Sequence, residues 1–508
     1  DFVVNEKGKK PKSQVVAESE THSIPYVDIQ AFEEGIIGSW TNGDGCRHCY
    51  SSDFLMVWDG SRSGLVGKGL NGALGSTLVR INFPSMVNDY AFYFLQSKYQ
   101  QINSRAKGSG TPHVDPDLLW NYSFSIAPLN EQCRIVAKIE ELFSELEKGV
   151  ESLKAAKAQL GVYRQSVLKA AFEGRLTEGW RKEHDVHGST SVAGAGRTGA
   201  TAGELESADE LLARIKAERE ARFAAQLAEW QQAVAGWEAA GGKASGTKKP
   251  AKPKKPKELP PLTANELADL PELPEGWGWV KIGLVSSVGT GSTPLKSKSV
   301  YYKEGKIPWV TSGALNESFV RAPTSFVTDL AMAETNLQLY PVHTLLVALY
   351  GEGKTRGKCS ELLIRATTNQ AIAAIAQDGI EAETRSYLKW FMQKNYEDIR
   401  RLSSGGVQPN LNLGIIQNTL FPFCSLPEQH QIVQEIESRF SVVEKMEQTI
   451  VESLQKAEAL RQSILKRAFE GKLVPQDPSD EPASELLARI RAEREAADSI
   501  PKRGRKKA

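Results

Sequence analysis

Two long stretches of the chain keep apolar residues at a spacing that alternates four and three. The first runs Ile135, Ile139, Leu142, Leu146, Gly149, Leu153, Ala156, Leu160, Tyr163 and Val167. The second carries Ile432, Ile436, Val443, Met446, Ile450, Ala457, Leu460 and Ile464, interrupted by Arg439 and Ser453. That period is the seam of a coiled coil, with Gly149 as its expected weak spot. A single helix cannot bury such a stripe alone, so the simplest partner for each is the other copy. A helix from about 130 to 172 spans roughly 64 Å at 1.5 Å per residue.

Elsewhere the pattern breaks up. Between Trp40 and Ile81, short apolar runs split by Gly, Asn and Asp predict strands and turns. Asn88 to Arg105 predicts an amphipathic helix, with a counterpart at Thr384 to Arg401. Each long helix follows a globular region, and a pseudo-twofold relation between the halves makes the helices antiparallel. The expected fold class is therefore α+β, with two pseudo-symmetric globular domains separated by two long helices that form an antiparallel coiled coil. The expected division is a first domain at 1–128, a first coil helix at 129–178 and a connection at 179–270. A second domain at 271–425, a second coil helix at 426–475 and a C-terminal helix and basic tail at 476–508 follow.

The halves are copies. RQSVLKAAFEGRL from Arg164 matches RQSILKRAFEGKL from Arg461 at an offset of 297 residues. The same offset aligns LNEQCRIVAKIEELF from Leu129 with LPEQHQIVQEIESRF from Leu426, and Gly108 to His113 with Gly405 to Asn410. ELLARIKAERE from Glu210 matches ELLARIRAERE from Glu485. Fainter echoes pair Ile24-Pro25-Tyr26-Val27 with Ile307-Pro308-Trp309-Val310, Gly67-Lys68 with Gly357-Lys358, and Asn71 to Leu74 with Asn369 to Ile372. A fixed period of this kind marks a duplicated architecture.

Composition adds limits. The 508 residues carry a net charge of +1, which gives no global signature of nucleic-acid binding. Residues 1–128 sum to about −2 and 275–425 to about +3, so any basic surface is local. No run of about 18 apolar residues is present to span a membrane. Five scattered cysteines fit a reducing compartment. Cys46-Arg47-His48-Cys49 looks like half a zinc site with no second pair, so no metal is expected. The start, Asp1-Phe2-Val3-Val4, has no Met and no signal pattern and reads as a clipped chain. Residues 184–204 read as a flexible loop, 205–240 as a helix, and Lys248 to Pro261 as a stiff, basic, Pro-rich tether.

Several motifs carry a family likeness. They are Leu273-Pro274-Glu275-Gly276-Trp277, Ile307-Pro308-Trp309, Gly357-Lys358, Asn369-Gln370-Ala371-Ile372, Gly405 to Asn410, Leu426 to Val433 and Phe469 to Leu473. Together, and largely twice over, they resemble the specificity subunits of Type I restriction–modification systems across nearly the whole chain. The first copy lacks the Leu-Pro-x-Gly-Trp start, as about twenty missing residues would explain. It also replaces Gly-x-x-Gln-Pro by Gly108-Ser109-Gly110-Thr111-Pro112. The resemblance implies two target-recognition domains, each reading half of a split, asymmetric duplex DNA sequence. It implies two methylation subunits docked on the coil regions, carrying S-adenosylmethionine for adenine N6 methylation, with no cofactor on this chain. It also implies motor and restriction subunits in the full complex, in the cytoplasm of a bacterium or archaeon.

Base edges are read by Arg, Lys, Asn and Gln on exposed loops. The candidates in the first domain are Ser61, Arg62, Ser63, Lys68, Asn71, Thr111 and His113. In the second they are Lys354, Thr355, Arg356, Lys358, Asn369, Gln408 and Asn410. Each is equally a solvated loop residue or a turn-stabilising Asn. No catalytic methyltransferase motif and no P-loop appears, so the expectation is a non-catalytic subunit. A coiled-coil scaffold that reads no DNA, and a self-contained methyltransferase with degenerate motifs, remain as rivals.

Overall fold

The computed structural model describes residues 3–108, 110–184, 205–242, 249–253, 255, 258–351, 354–376, 381–402 and 410–498. The chain divides into two compact units. One is Asp1–Lys157 with Gln448–Ala508, and the other is Ala158–Glu447. Gln408, the linker residues Lys248, Lys254, Pro256 and Lys257, the stretch 185–204 and the tail 499–508 lie outside the described residues.

The heptad stripes fold as the helices Leu129–Phe172 and Leu426–Phe469, 44 residues each. In the first unit, the Arg461 guanidinium lies 4.2 Å from the Phe143 ring centre and pairs with Glu147 at 2.7 Å. In the second unit, Arg164 lies 5.1 Å from the Phe440 ring centre and pairs with Glu447 at 3.0 Å. Early residues of one helix meet late residues of the other in both units, so the pair is antiparallel. The seam differs in detail from the heptad reading. Gly149 is exposed and Val150 takes the inward place, so the glycine leaves no gap in the buried seam. Tyr163 and Leu460 are 42% and 52% exposed, and the inward places beside them hold Arg164 and Arg461. A straight helix drifts about 20° per heptad against a strict seven-residue repeat, which shifts the buried register by one residue.

In the first unit, Val4–Lys7, Leu78–Asn82, Phe54–Val57 and Val66–Lys68 form a four-stranded antiparallel sheet. Ile24–Val27 sits in a second sheet, parallel to Gly72–Leu74. All four residues of Phe54–Val57 are buried because both faces of the strand are covered. Phe54 and Met56 pack with Tyr90 and Ala91 of the helix Asn88–Ser104, and Leu55 and Val57 pack with Val27 and Leu74.

The second unit repeats the plan. Leu345–Ala348 is the middle strand of a five-stranded sheet between Ile372–Ala376 and Cys359–Leu362. Leu345 and Val347 face one core, Leu346 and Ala348 another. Ile307–Val310 pairs in parallel with Thr367–Thr368, as Ile24–Val27 does with Gly72–Leu74. The helix expected from Thr384 is two pieces, Ala382–Lys394 and Tyr396–Arg401.

The short repeated motif also folds the same way twice. Leu211 and Ile215 of the helix Ala208–Ala239 are buried in the second unit, and Leu486 and Ile490 of Ala483–Asp498 in the first. Arg214 grips Glu206 at 3.0 Å and Arg489 grips Glu481 at 3.0 Å, each pair eight residues apart.

Glu428 of the Leu-Pro-Glu-Gln motif is 3% exposed. It accepts hydrogen bonds from Arg181 at 2.5 Å, Thr177 at 2.7 Å and the Trp277 indole at 2.8 Å. Two of the motifs, and the residues that follow the first coil helix, therefore converge on one buried, fully partnered carboxylate, which is a structural hub. Glu428→Ala leaves the Arg181 guanidinium, itself largely buried, without its counter-charge. We expect a loss of roughly 3 kcal/mol in the stability of the second unit, read by denaturant titration. A loss below about 1 kcal/mol would show that the hub contributes little.

Candidate nucleic-acid interface

A hairpin whose second strand must start at once needs a residue with positive φ at the end of its turn. The strand Phe54–Val57 ends in a turn that closes at Gly64, with φ +91, and Leu345–Ala348 ends in one that closes at Gly357, with φ +86. The Gly64 amide donates to Val57 O at 2.7 Å, and the Gly357 amide to Ala348 O at 2.9 Å. Leu65 donates to Arg62 O, and Lys358 to Thr355 O, each at 3.0 Å. These bonds set one register: Arg62 matches Thr355, Ser63 matches Arg356, Gly64 matches Gly357 and Leu65 matches Lys358.

Both turns are fastened from behind by the same helix positions, 297 residues apart. A Cβ on Gly64 would lie 2.4 Å from Cγ2 of Ile102, and one on Gly357 would lie 3.4 Å from Cγ2 of Ile399. Both isoleucines are fully buried. Asn103 Nδ2 donates to Ser61 O and Ser63 O at 3.0 Å. Its counterpart Arg400 donates to Arg356 O at 2.7 Å, and the Tyr396 hydroxyl donates to Lys354 O at 2.6 Å. The turn backbone is thus held while its outward side chains stay exposed or half-buried.

A third segment joins each turn. The Val114 amide donates to Trp58 O at 2.9 Å, and the Leu411 amide to Leu349 O at 3.1 Å, again 297 residues apart on the donor side. Gly60 donates to Pro112 O at 2.7 Å, and Lys107 and His113 exchange two backbone bonds. Thr111 and His113 therefore sit beside Ser61 and Arg62, and Asn410 holds the corresponding place in the second unit.

The candidates divide accordingly. Ser61, Arg62, Thr111 and His113 come together in the first unit, with Arg62 already paired to Glu33 at 2.5 Å. Lys354, Thr355, Arg356 and Lys358 share one turn in the second. Ser63 is fully buried and offers a reader nothing. Lys68 is not on the turn, because it lies at the far end of the hairpin opposite Phe54. There it pairs with Asp89 and lies over Phe92. The likeness of Gly67-Lys68 to Gly357-Lys358 is a false register, since the strand ladders match Lys68 to Glu361. Asn71 stabilises a turn by accepting from the Ser51 amide at 2.9 Å. Asn369 donates its amide to Val310 O just as Gly75 does to Val27 O, so Asn71 and Asn369 are not equivalents.

Sequence reasoning missed Asn316. Its Oδ1 accepts from Lys358 Nζ at 3.1 Å and faces Thr355 Oγ1 at 3.5 Å. It lies about forty residues upstream on a 3-10 turn, Ser312–Asn316, so no local pattern marks it. Sequence reasoning also missed Asn103 and Arg400, whose 297-residue relation is seen only once their bonds to the turns are known. The matched positions Lys68 and Glu361 both pair a strand with a helix, with the charges exchanged. Glu361 meets Lys389 at 2.9 Å, His343 at 2.8 Å and Arg385 at 3.8 Å. Burial works to raise its carboxyl, but these hydrogen bonds and charges outweigh burial and hold it below its ordinary range. Cys49 is buried in a strand, where loss of hydration pushes its thiol up to about 11.

Comparisons agree with this plan. The model of the Type I restriction modification DNA specificity domain matches residues 2–154 and again 274–455. The MjaVIII specificity subunit of a Type I restriction enzyme from Methanocaldococcus jannaschii is 31% identical over 195 residues, covering 35% of this chain and 45% of that protein. The EcoDI specificity subunit from Escherichia coli is 22% identical over 430 residues, covering 82% and 79%. A solved chain from work on complex assembly and conformational transition of the type I R-M system has the same fold. It has a TM-score of 0.55 at 17% identity and covers 89% of this chain and 92% of that one.

The pins predict a local effect. Arg400→Ala should loosen the 354–358 turn and raise amide exchange at Gly357 and Lys358 several-fold while leaving Gly64 and Leu65 unchanged. Protection that stays equal at both turns would show that the pin is idle.

Proposed function

The chain belongs to the Type I restriction–modification DNA specificity family, and on that premise we propose that it reads a bipartite, asymmetric duplex target, one half with each globular domain. It is the specificity component of such a system and not its catalyst. In this proposal it positions the methylation and restriction subunits for adenine N6 methylation or cleavage. Two methylation subunits dock on the coil regions and carry S-adenosylmethionine, and this chain holds no cofactor. The complex works in the cytoplasm of a bacterium or archaeon. Among the described residues no helix is long and apolar enough to cross a membrane.

One observation carries the reading. Both domains build the same frame, a glycine-closed turn fastened to a helix, and fill it with different side chains. The frame presents Ser61 and Arg62 in one domain and Lys354, Thr355 and Arg356 in the other. A constant frame with unlike polar occupants suits two half-sites of unlike sequence. The coil supports the docking of two like partners, because Tyr163 and Leu460 stand at equivalent positions and are both exposed.

Footprinting of the assembled complex should show two protected blocks separated by an unread gap. No footprint would favour a scaffold that reads no DNA, and a continuous one would contradict the two-block reading. Replacing Lys354 and Arg356 with Ala should relax one half-site by about 1–3 kcal/mol of base discrimination and leave the other intact. Equal relaxation of both halves would contradict the two-domain division. Matched seven-residue insertions in both coil helices add about 10 Å. The preferred gap should then lengthen by about three base pairs, and an unchanged gap would refute the spacing role of the coil.

A further inference from the structure

The connection between the halves contains the helix Ala208–Ala239 and a run with six lysines between Lys248 and Lys257. Such a Pro-rich run is expected to be a stiff, solvated tether. Its described residues are instead fastened back onto the helix. The Trp230 indole donates to Pro250 O at 2.9 Å. Lys252 Nζ lies 5.7 Å from the Trp230 ring centre, and Lys249 Nζ lies 5.9 Å from that of Trp237. Lys255 lines a cleft with Arg222 and Phe223.

The spacing explains the fit. Phe223, Trp230 and Trp237 recur every seven residues, about 10.5 Å along a helix. Lys255, Lys252 and Lys249 recur every three, and three residues of a proline-rich extended chain advance about 9 Å. The two ladders run antiparallel and nearly in step, so Trp230 and Trp237 hold the Lys252 and Lys249 ammonium groups near their ring faces while all three lysines stay exposed. Lys249 also meets Glu238 at 3.8 Å, and Lys255 meets Glu258 at 2.6 Å. Both pairs are exposed and worth little, so the lysines can exchange to another anion. The repeated helix motif leads into a second basic run, Lys502 to Lys507, in the other half of the sequence.

We propose that this braced row of Lys249, Lys252 and Lys255 is a sequence-independent contact to the phosphate backbone of duplex DNA, additional to the reading turns. The occupant is argued from charge. The domain sums are about −2 and about +3, so neither reading domain brings a large net positive charge to the phosphates. A regular row of cations on a stiff support meets a regular row of phosphates and carries no base information. This inference rests on the DNA-reading proposal above.

The test uses the full chain assembled with its methylation partners, one duplex that carries the target and one that lacks it. Affinity is measured over a salt series for the wild type and for Lys249→Gln/Lys252→Gln/Lys255→Gln, with circular dichroism confirming an unchanged helix content. Each phosphate contact contributes about 0.9 to the slope of log affinity against log salt. The triple variant should therefore be shallower by about 2 to 3 on both duplexes, with the ratio of their affinities unchanged. Trp230→Ala/Trp237→Ala, which leaves every charge in place, should also be shallower. An unchanged slope in the triple variant overturns the proposal, as does a loss confined to the target duplex. Wild-type complex that binds neither duplex overturns the DNA-reading proposal itself, and the arm with it.

Discussion

Each 44-residue helix carries an apolar stripe that a lone helix cannot hide from water, and each finds cover on the other. The rest of the architecture follows from that pairing. Because the chain repeats at a fixed offset, the cover must be reciprocal. Arg164 over Phe440 and Arg461 over Phe143 are one interaction made twice. Each arginine stacks its guanidinium on a ring and keeps a carboxylate partner, so a charged residue occupies a place the heptad reserves for an apolar one. Antiparallel pairing also means that each compact unit contains part of both helices, so neither half of the sequence folds as a self-contained block.

The globular domains keep a frame and vary its contents. In both, a strand buried on two faces leads into a glycine-closed turn, and the turn is fastened to buried isoleucines at the same helix position. The pins themselves differ, with Asn103 in one domain and Arg400 in the other, yet both donate to turn carbonyls. Bonds to backbone carbonyls do not depend on the side chains in the turn. Those side chains can therefore change without unfolding the loop that carries them. Strand and helix are likewise tied by an ion pair whose signs exchange, Lys68 with Asp89 against Glu361 with Lys389. What is kept between the copies is the attraction, not the residue.

The faint echoes show where pattern matching fails. Ile24-Pro25-Tyr26-Val27 and Ile307-Pro308-Trp309-Val310 are true equivalents, since each pairs in parallel with the strand that follows the hairpin. Gly67-Lys68 and Asn71 matched their supposed partners by composition alone. Loops of unequal length had shifted the register by several residues, and only the hydrogen-bond ladder restores it. Ser63 looked like an exposed turn serine and is buried, because the glycine beside it draws the turn down onto Ile102.

The sequence by itself determined the duplication, the two long helices and their pairing, and the alternation of globular and helical regions. These rest on local periodicity, which a linear string carries in full. Tertiary structure decided which residue of each heptad turns inward, which glycine closes each hairpin, and that Glu428 is a hub and not a surface acid. It also decided that the lysine-rich connection is braced by Trp230 and Trp237. Those outcomes depend on partners tens to hundreds of residues away, and a burial or a hydrogen bond has no local signature when only one of its two members is in view.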